Sequence, residues 1–189
     1  MADDDYYDKL LALPVRYIFL DCETTDLNPD VDEITEIAWY TERDGREFVR
    51  EWAVKHTQLA GDWVVKETDY ITRLVPAPKV DLEVCLQTLM QDCNGAHAFL
   101  VAQNPTFDHA FLRKAFYKRG LRVPYDYHLI SVEILVMQAL GLERPPRIRD
   151  QRRLLGLEGE REVKHAAQPD AAEVKLIFNA CRARSLAAV

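Results

Sequence analysis

The sequence lacks the features that would mark a disulfide scaffold, a zinc domain or a membrane protein. It has four cysteines in 189 residues, Cys22, Cys85, Cys93 and Cys181, with no Cys-x-x-Cys pair and no histidine-rich partner. Neither a disulfide framework nor a zinc cluster is therefore expected, and a reducing cytoplasm is the natural setting. Long apolar runs are missing too: the segment from Leu10 to Leu20 is broken by Pro14 and Arg16, and the stretch from Met1 to Asp8 is acidic. This argues against a signal peptide or a membrane span. Nor is there an excess of positive charge. The net charge of -7 argues against a general electrostatic grip on long nucleic acid, while leaving room for a local contact where bound cations neutralise the acids. No repeat, low-complexity segment, linker or extended tail is evident. A single domain over residues 1–189, with a core of about 15–185, is expected, and a stand-alone protein is slightly favoured.

What is present is 48% hydrophobic content, enough for a sizeable core, and one stretch that organises the chain, Tyr17-Ile18-Phe19-Leu20-Asp21-Cys22-Glu23-Thr24-Thr25. Its apolar run is rich in strand formers and ends abruptly in acid. On a strand, Asp21 and Glu23 share a side while Cys22 points into apolar packing. Two neighbouring carboxylates repel unless a cation neutralises them, so the pair reads as half of a divalent-metal site. Taken alone, it reads more readily as a strand ending in a solvated turn, Thr24 to Pro29.

Further strands are expected over Glu33–Tyr40 and Glu47–Val54, joined at Asp44-Gly45, which gives the sheet an antiparallel start. Residues Gly61 to Tyr70 are ambiguous. After Pro76-Ala77-Pro78, a helical pattern runs from Val80 through Val84, Leu86 and Leu89 to Asn94-Gly95. His97–Ala102 reads as a strand. Asn104 as N-cap and Pro105 as first helical residue then start a helix to about Arg119-Gly120, with Asp108 in its first turn. A short extended piece near Tyr125–Ile130, a helix over Val132–Gly141 and a last helix over about Pro169–Ala183 follow. Asp170 opens that last helix, and His165 lies on the loop leading into it. If the strands share a sheet, Asp108 can meet Asp21 and Glu23.

The ordered set Asp21, Glu23, Asp108, His165 and Asp170 resembles the DEDDh exonucleases, the DnaQ-like 3′ to 5′ exonucleases of the ribonuclease H-like fold. Phe19–Thr25 is similar to their first motif, Asn104–Leu112 to the second, and His165-Ala166-Ala167-Gln168-Pro169-Asp170-Ala171 to the third; Glu36-Ile37-Ala38 resembles their second strand. The sequence departs from the family at Asp26, where glycine is usual, at Gln103, where histidine is common, and at Pro169. The resemblance implies an α/β fold with a central mixed five-stranded sheet and helices on both faces. It implies two divalent cations, Mg²⁺ or Mn²⁺, one held by Asp21, Glu23 and Asp170 and one mainly by Asp21, with Asp108 completing the site. Hard oxygen ligands suit such ions, and paired cations suit phosphodiester hydrolysis.

His165 is the expected general base, with Lys164 and Arg161 favouring its neutral form. Thr24, Thr25, Leu27, Asn104 and Phe107 are expected at the terminal nucleotide, where aromatic stacking is tolerant of sequence. The expected activity is 3′ to 5′ removal of nucleoside 5′-monophosphates from single-stranded or frayed DNA. RNA is the alternative substrate, since ribonuclease T and oligoribonuclease use the same kind of site, and a polymerase is a candidate partner. A rival reading is an idle nucleic-acid- or polymerase-binding module. His56, His97, His109 and His128 stand singly and read as packing or solvent residues. The arginines of the Arg144–Arg153 segment read either as a solvated face or as a nucleic-acid contact, as do Arg113, Lys114, Lys118, Arg119 and Arg122.

Overall fold

The computed structural model describes residues 9, 11–68, 70–157, 159 and 165–187. Six strands form one mixed sheet: β1 (Val15–Thr24), β2 (Ile34–Arg43), β3 (Arg46–Val54), β4 (Lys79–Val80), β5 (His97–Ala102) and β6 (Ile130–Ser131), in the order β4-β3-β2-β1-β5-β6. β1 lies in the middle, antiparallel to β2 and parallel to β5. The helices are α1 (Asp62–Glu67), α2 (Tyr70–Arg73), α3 (Leu82–Cys93), α4 (Pro105–Tyr117), α5 (Val132–Ala139), α6 (Ile148–Leu155) and α7 (Ala167–Ala187).

The alternation of β1 divides the core in two. Ile18, Leu20 and Cys22 face one side, with Ile37 and Trp39 of β2, and pack against Cys85, Leu86 and Leu89 of α3 and Phe111, Leu112 and Phe116 of α4. Phe19 faces the other side, where it meets Val132 and Val136 of α5, Leu155 of α6 and Val174, Ile177 and Phe178 of α7. Helices therefore cover both faces, as the family resemblance implied, and Cys22 enters the core as its position on the strand required.

One further strand, β4, distinguishes the sheet from the expected five. β4 takes Val80, which the apolar spacing had assigned to the following helix. Val80 instead pairs with Val54, and the helix starts two residues later, after Asp81. β6 is the two-residue end of the extended piece expected near Tyr125–Ile130, pairing with Val101 and Ala102. The Asp44-Gly45 turn is as expected. Both residues have positive φ, 54° and 71°, the conformation that a two-residue hairpin turn requires. The ambiguous stretch after Gly61 forms the two short helices α1 and α2. α7 begins two residues before Pro169, at Ala167.

Candidate active site

The acids converge because β1 and α7 run along each other in opposite directions. The Phe178 ring packs on Tyr17 and Phe19, with centroids 4.7 and 5.2 Å apart. From Phe178 back to Asp170 a helix rises about 12 Å, and from Phe19 on to Glu23 a strand advances about 13 Å. The two paths reach the same place. Ligand atoms of Glu23, Asp170 and His165 lie within 4.8 Å of one another. At this end β2 carries an irregularity: Glu23 pairs with Glu36 but Thr24 with Ile34, leaving Thr35 as an extra residue. Such a bulge re-aims the side chains beside it.

Asp108 arrives from the opposite layer. β5 ends beside β1, and the first turn of α4 brings the Asp108 carboxylate to the backbone of β1, where its Oδ1 accepts the Cys22 N–H at 3.0 Å. The helix starts at Pro105 as expected, although the Asn104 side chain accepts the Thr106 hydroxyl at 2.7 Å instead of capping a backbone N–H.

The electrostatics follow from burial. The Asp108 carboxyl, 4% exposed, is pushed up to about 7 by desolvation, which outweighs the hydrogen bond from Cys22. Glu23 is pushed up to about 8, first by desolvation and then by the charges of Asp170 and Glu36, against the opposing pull of Arg73. Acids this close and this far from water resist ionisation together, the condition that a hard divalent cation relieves. The donor set, carboxylate oxygens with one imidazole, fits such an ion.

A cleft of about 760 Å³ opens over these groups. Asp21, Glu23, Asp108, His165 and Asp170 all line it, as do four of the five residues expected at the terminal nucleotide, Thr24, Leu27, Asn104 and Phe107. Thr25 is not brought to it. Thr25 is 1% exposed, and its hydroxyl accepts the Glu33 N–H at 3.0 Å, so it closes the loop after β1. Asp26 also stays out of the lining; its Oδ1 accepts the Leu27 N–H at 2.9 Å, so this departure from the family shapes the loop. Gln103 lines the cleft and donates to Glu133 at 2.7 Å. Lys164 and Arg161 lie outside the described residues.

Several cleft residues escaped the sequence reading. Trp63 of α1, 54% exposed, lines the cleft with its ring edge-on to His165, centroids 5.8 Å apart. Glu67 lines the cleft from the same helix, and Glu173 from α7. The arginine-rich segment divides: Arg149, Arg152 and Arg153 line the cleft, whereas Arg144 and Arg147 border a separate groove with Pro145 and Pro146. Arg152 is held by Glu173 at 2.7 Å. The four remaining histidines meet other partners: His97 and His128 both reach Asp126, His56 reaches Tyr70, and His109 reaches Tyr125 at 3.2 Å.

A mixed sheet flanked by helices, with acids gathered at the end of its central strand, has the ribonuclease H-like fold, and structural comparison agrees on that fold. The fold is similar to E. coli Exonuclease I in complex with a dA16 oligonucleotide, with a TM-score of 0.69 and 16% identity over 90% of this chain and 41% of that one. It is equally similar to the zinc-bound form of the E. coli Exonuclease I–ssDNA complex, at 0.69 and 18%, with the same coverage. The product-bound structure of exonuclease I gives 0.67 and 16% over 91% of this chain and 44% of that one. The chain thus spans less than half the length of these proteins, and at such identities the likeness is one of fold. No curated protein matches the sequence. A family model does: the exonuclease model matches residues 18–178, and the chain belongs to the exonuclease family, enzymes that hydrolyse phosphodiester bonds.

Proposed function

We propose that the protein is a metal-dependent 3′ to 5′ exonuclease acting on single-stranded or frayed DNA and releasing nucleoside 5′-monophosphates. The observation that carries the reading is the convergence of Asp21, Glu23, Asp108, Asp170 and His165 on one cleft wide enough for a strand end. Asp21, Glu23 and Asp170 would hold two divalent cations, Mg²⁺ or Mn²⁺, with Asp108 behind them. Bound there, the cations supply the positive charge that a phosphodiester needs for attack by water.

The chain's own groups do the rest. His165, at the mouth of the acidic cluster, takes the proton of the attacking water on an imidazole nitrogen. Phe107 and Leu27 offer apolar surface to the terminal bases, and Thr24 and Asn104 offer polar groups to the terminal sugar. The arginines of α6 set positive charge along the wall where the strand's phosphates pass. Exonuclease I, the fold neighbour, is seen in complex with dA16 and dT13 oligonucleotides, which favours DNA over RNA.

The test is incubation of the purified protein and Mg²⁺ with 5′-labelled single-stranded DNA and RNA of one sequence, with Asp21→Ala as control. A ladder shortening from the 3′ end of the DNA, absent in the variant, is expected. Faster shortening of the RNA would make it an exoribonuclease. No shortening of either strand, with Mn²⁺ as well, would favour a binding module.

A further inference from the structure

Glu36 on β2 pairs with Glu23 across the β1–β2 ladder and shares its face of the sheet, yet it is 1% exposed and does not line the cleft. One of its oxygens accepts the Arg73 Nη1–H at 2.6 Å, and the other accepts the backbone N–H of Ala167, the first residue of α7, at 3.2 Å. Arg73, at the end of α2, turns its second terminal nitrogen to the carbonyl oxygen of His165 at 3.1 Å and to that of Thr68 at 3.4 Å. One planar guanidinium thus ties together β2, the turn between α1 and α2, and the residue proposed to handle the proton.

The backbone of His165 needs such a tie. Its φ is 51°, in the left-handed region that a residue with a Cβ enters at a cost and keeps where its surroundings hold it. The constraints act from both sides: Arg73 grips the carbonyl oxygen of His165, Glu36 grips the N–H of Ala167 two residues on, and Trp63 meets the ring edge. We infer that Arg73, braced by Glu36, is a positioning residue that fixes His165 against Glu23 and Asp170. The inference rests on the reading of His165 as the general base. Lysine cannot replace Arg73, because a single ammonium has no planar fork with which to reach a carboxylate and two carbonyls at once.

The experiment compares Arg73→Lys, Arg73→Ala and His165→Ala with the wild type, by steady-state shortening of 5′-labelled single-stranded DNA and by ¹⁹F NMR of 5-fluorotryptophan-labelled protein. The Trp63 resonance is assigned with Trp63→Phe. Arg73→Lys keeps a cation beside Glu36 and so folds, yet its kcat falls about tenfold to a hundredfold with KM little changed. Its Trp63 resonance shifts while those of Trp39 and Trp52 stay. Free guanidinium restores part of the activity of Arg73→Ala and none of that of His165→Ala.

Wild-type kcat with an unmoved Trp63 resonance in Arg73→Lys would overturn the inference, and so would a loss confined to KM, the mark of a substrate contact. A wild type that shortens no strand would instead defeat the exonuclease reading. The Trp63 resonance would then decide by itself whether Arg73 holds the His165 loop.

Discussion

Asp92 and Asp108 are equally buried, each 4% exposed, and the protein treats them in opposite ways. Asp92, in the last turn of α3, accepts the Trp39 indole N–H at 3.0 Å and the Arg50 Nε–H at 3.2 Å, while Arg16 donates to its backbone carbonyl. Asp108 has the Cys22 N–H at 3.0 Å and no lysine or arginine paired with it among the described residues, and its carboxyl stays up near 7. A buried acid neutralised within the fold serves the fold. One left without such a partner, in the first turn of α4 against the end of the central strand, is the kind of acid that the proposed function assigns to a metal ion.

The sharpest way to break this contrast is to neutralise each acid in turn. Asp108→Asn removes a buried charge that the metal-free fold does not compensate, so thermal stability should hold or rise while exonuclease activity falls by about a hundredfold to a thousandfold. Asp92→Asn should do the reverse, costing about 2 to 3 kcal/mol in urea unfolding by loosening the Trp39 and Arg50 bonds, with activity retained in the folded fraction. Loss of stability in Asp108→Asn would show that Asp108 is a structural acid after all. Next in size is His165→Ala, expected to lower turnover by about a hundredfold with divalent-metal affinity in titration calorimetry unchanged. A large fall in metal affinity would make His165 a ligand, which its closeness to Glu23 and Asp170 also permits.

The same contrast predicts how stability depends on pH. Glu23 is raised from 4.5 to about 8 and Asp108 from 3.8 to about 7. Both bind protons more tightly folded than unfolded, so their contribution favours the fold at low pH. It is lost as pH climbs from about 4 through about 8 and is flat beyond. In EDTA the Tm should therefore be lower at pH 8 than at pH 5.5. Saturating Mg²⁺ should raise it by a few degrees, more at pH 8 than at pH 5.5, because the ion binds the ionised acids. An equal Mg²⁺ effect at both values would mean that these carboxylates are not its ligands.

The part of this arrangement that could be read from sequence is the part written in local pattern. Asp21 and Glu23 follow an apolar run, Asp108 follows an Asn-Pro helix start, and Asp170 opens a long helix, so each could be placed on its element before any contact was known. The order of the three motifs then supplied the convergence. Arg73, Glu36 and Trp63 could not be connected in the same way. α1 and α2 are 6 and 4 residues long, too short for a periodic signal, and a guanidinium bridging β2 to the loop before α7 spans positions 36, 73 and 165. Val80 was misplaced because a lone apolar residue two positions before a helix fits its spacing; only the pairing partner, Val54, makes it a strand. Thr25 sat inside a matched motif, yet the backbone turns its hydroxyl inward.

The smallest expected effect extends the contrast from acids to arginines. Arg50 is committed to Asp92, and Arg152 to Glu173 at 2.7 Å, so neither is at liberty to give its full charge to a phosphate. Arg149 is exposed on the cleft wall, and Arg153, 74% exposed, makes a long 3.4 Å contact with Asp150 as its one ion pair among the described residues. Counterion release from a single strand scales with the phosphates contacted, so Arg149→Gln and Arg153→Gln should each flatten the log–log salt dependence of oligonucleotide binding by about 0.7. Arg147→Gln, in the separate groove, should leave the slope unchanged, and Arg152→Gln should act mainly by freeing Glu173. Because a released Glu173 carboxylate would repel the strand, that last variant should weaken binding at low salt more than its own lost contact explains. Equal slopes for Arg147→Gln and Arg149→Gln would mean that the strand does not follow the α6 wall, and the arginines would then be a solvated helix face.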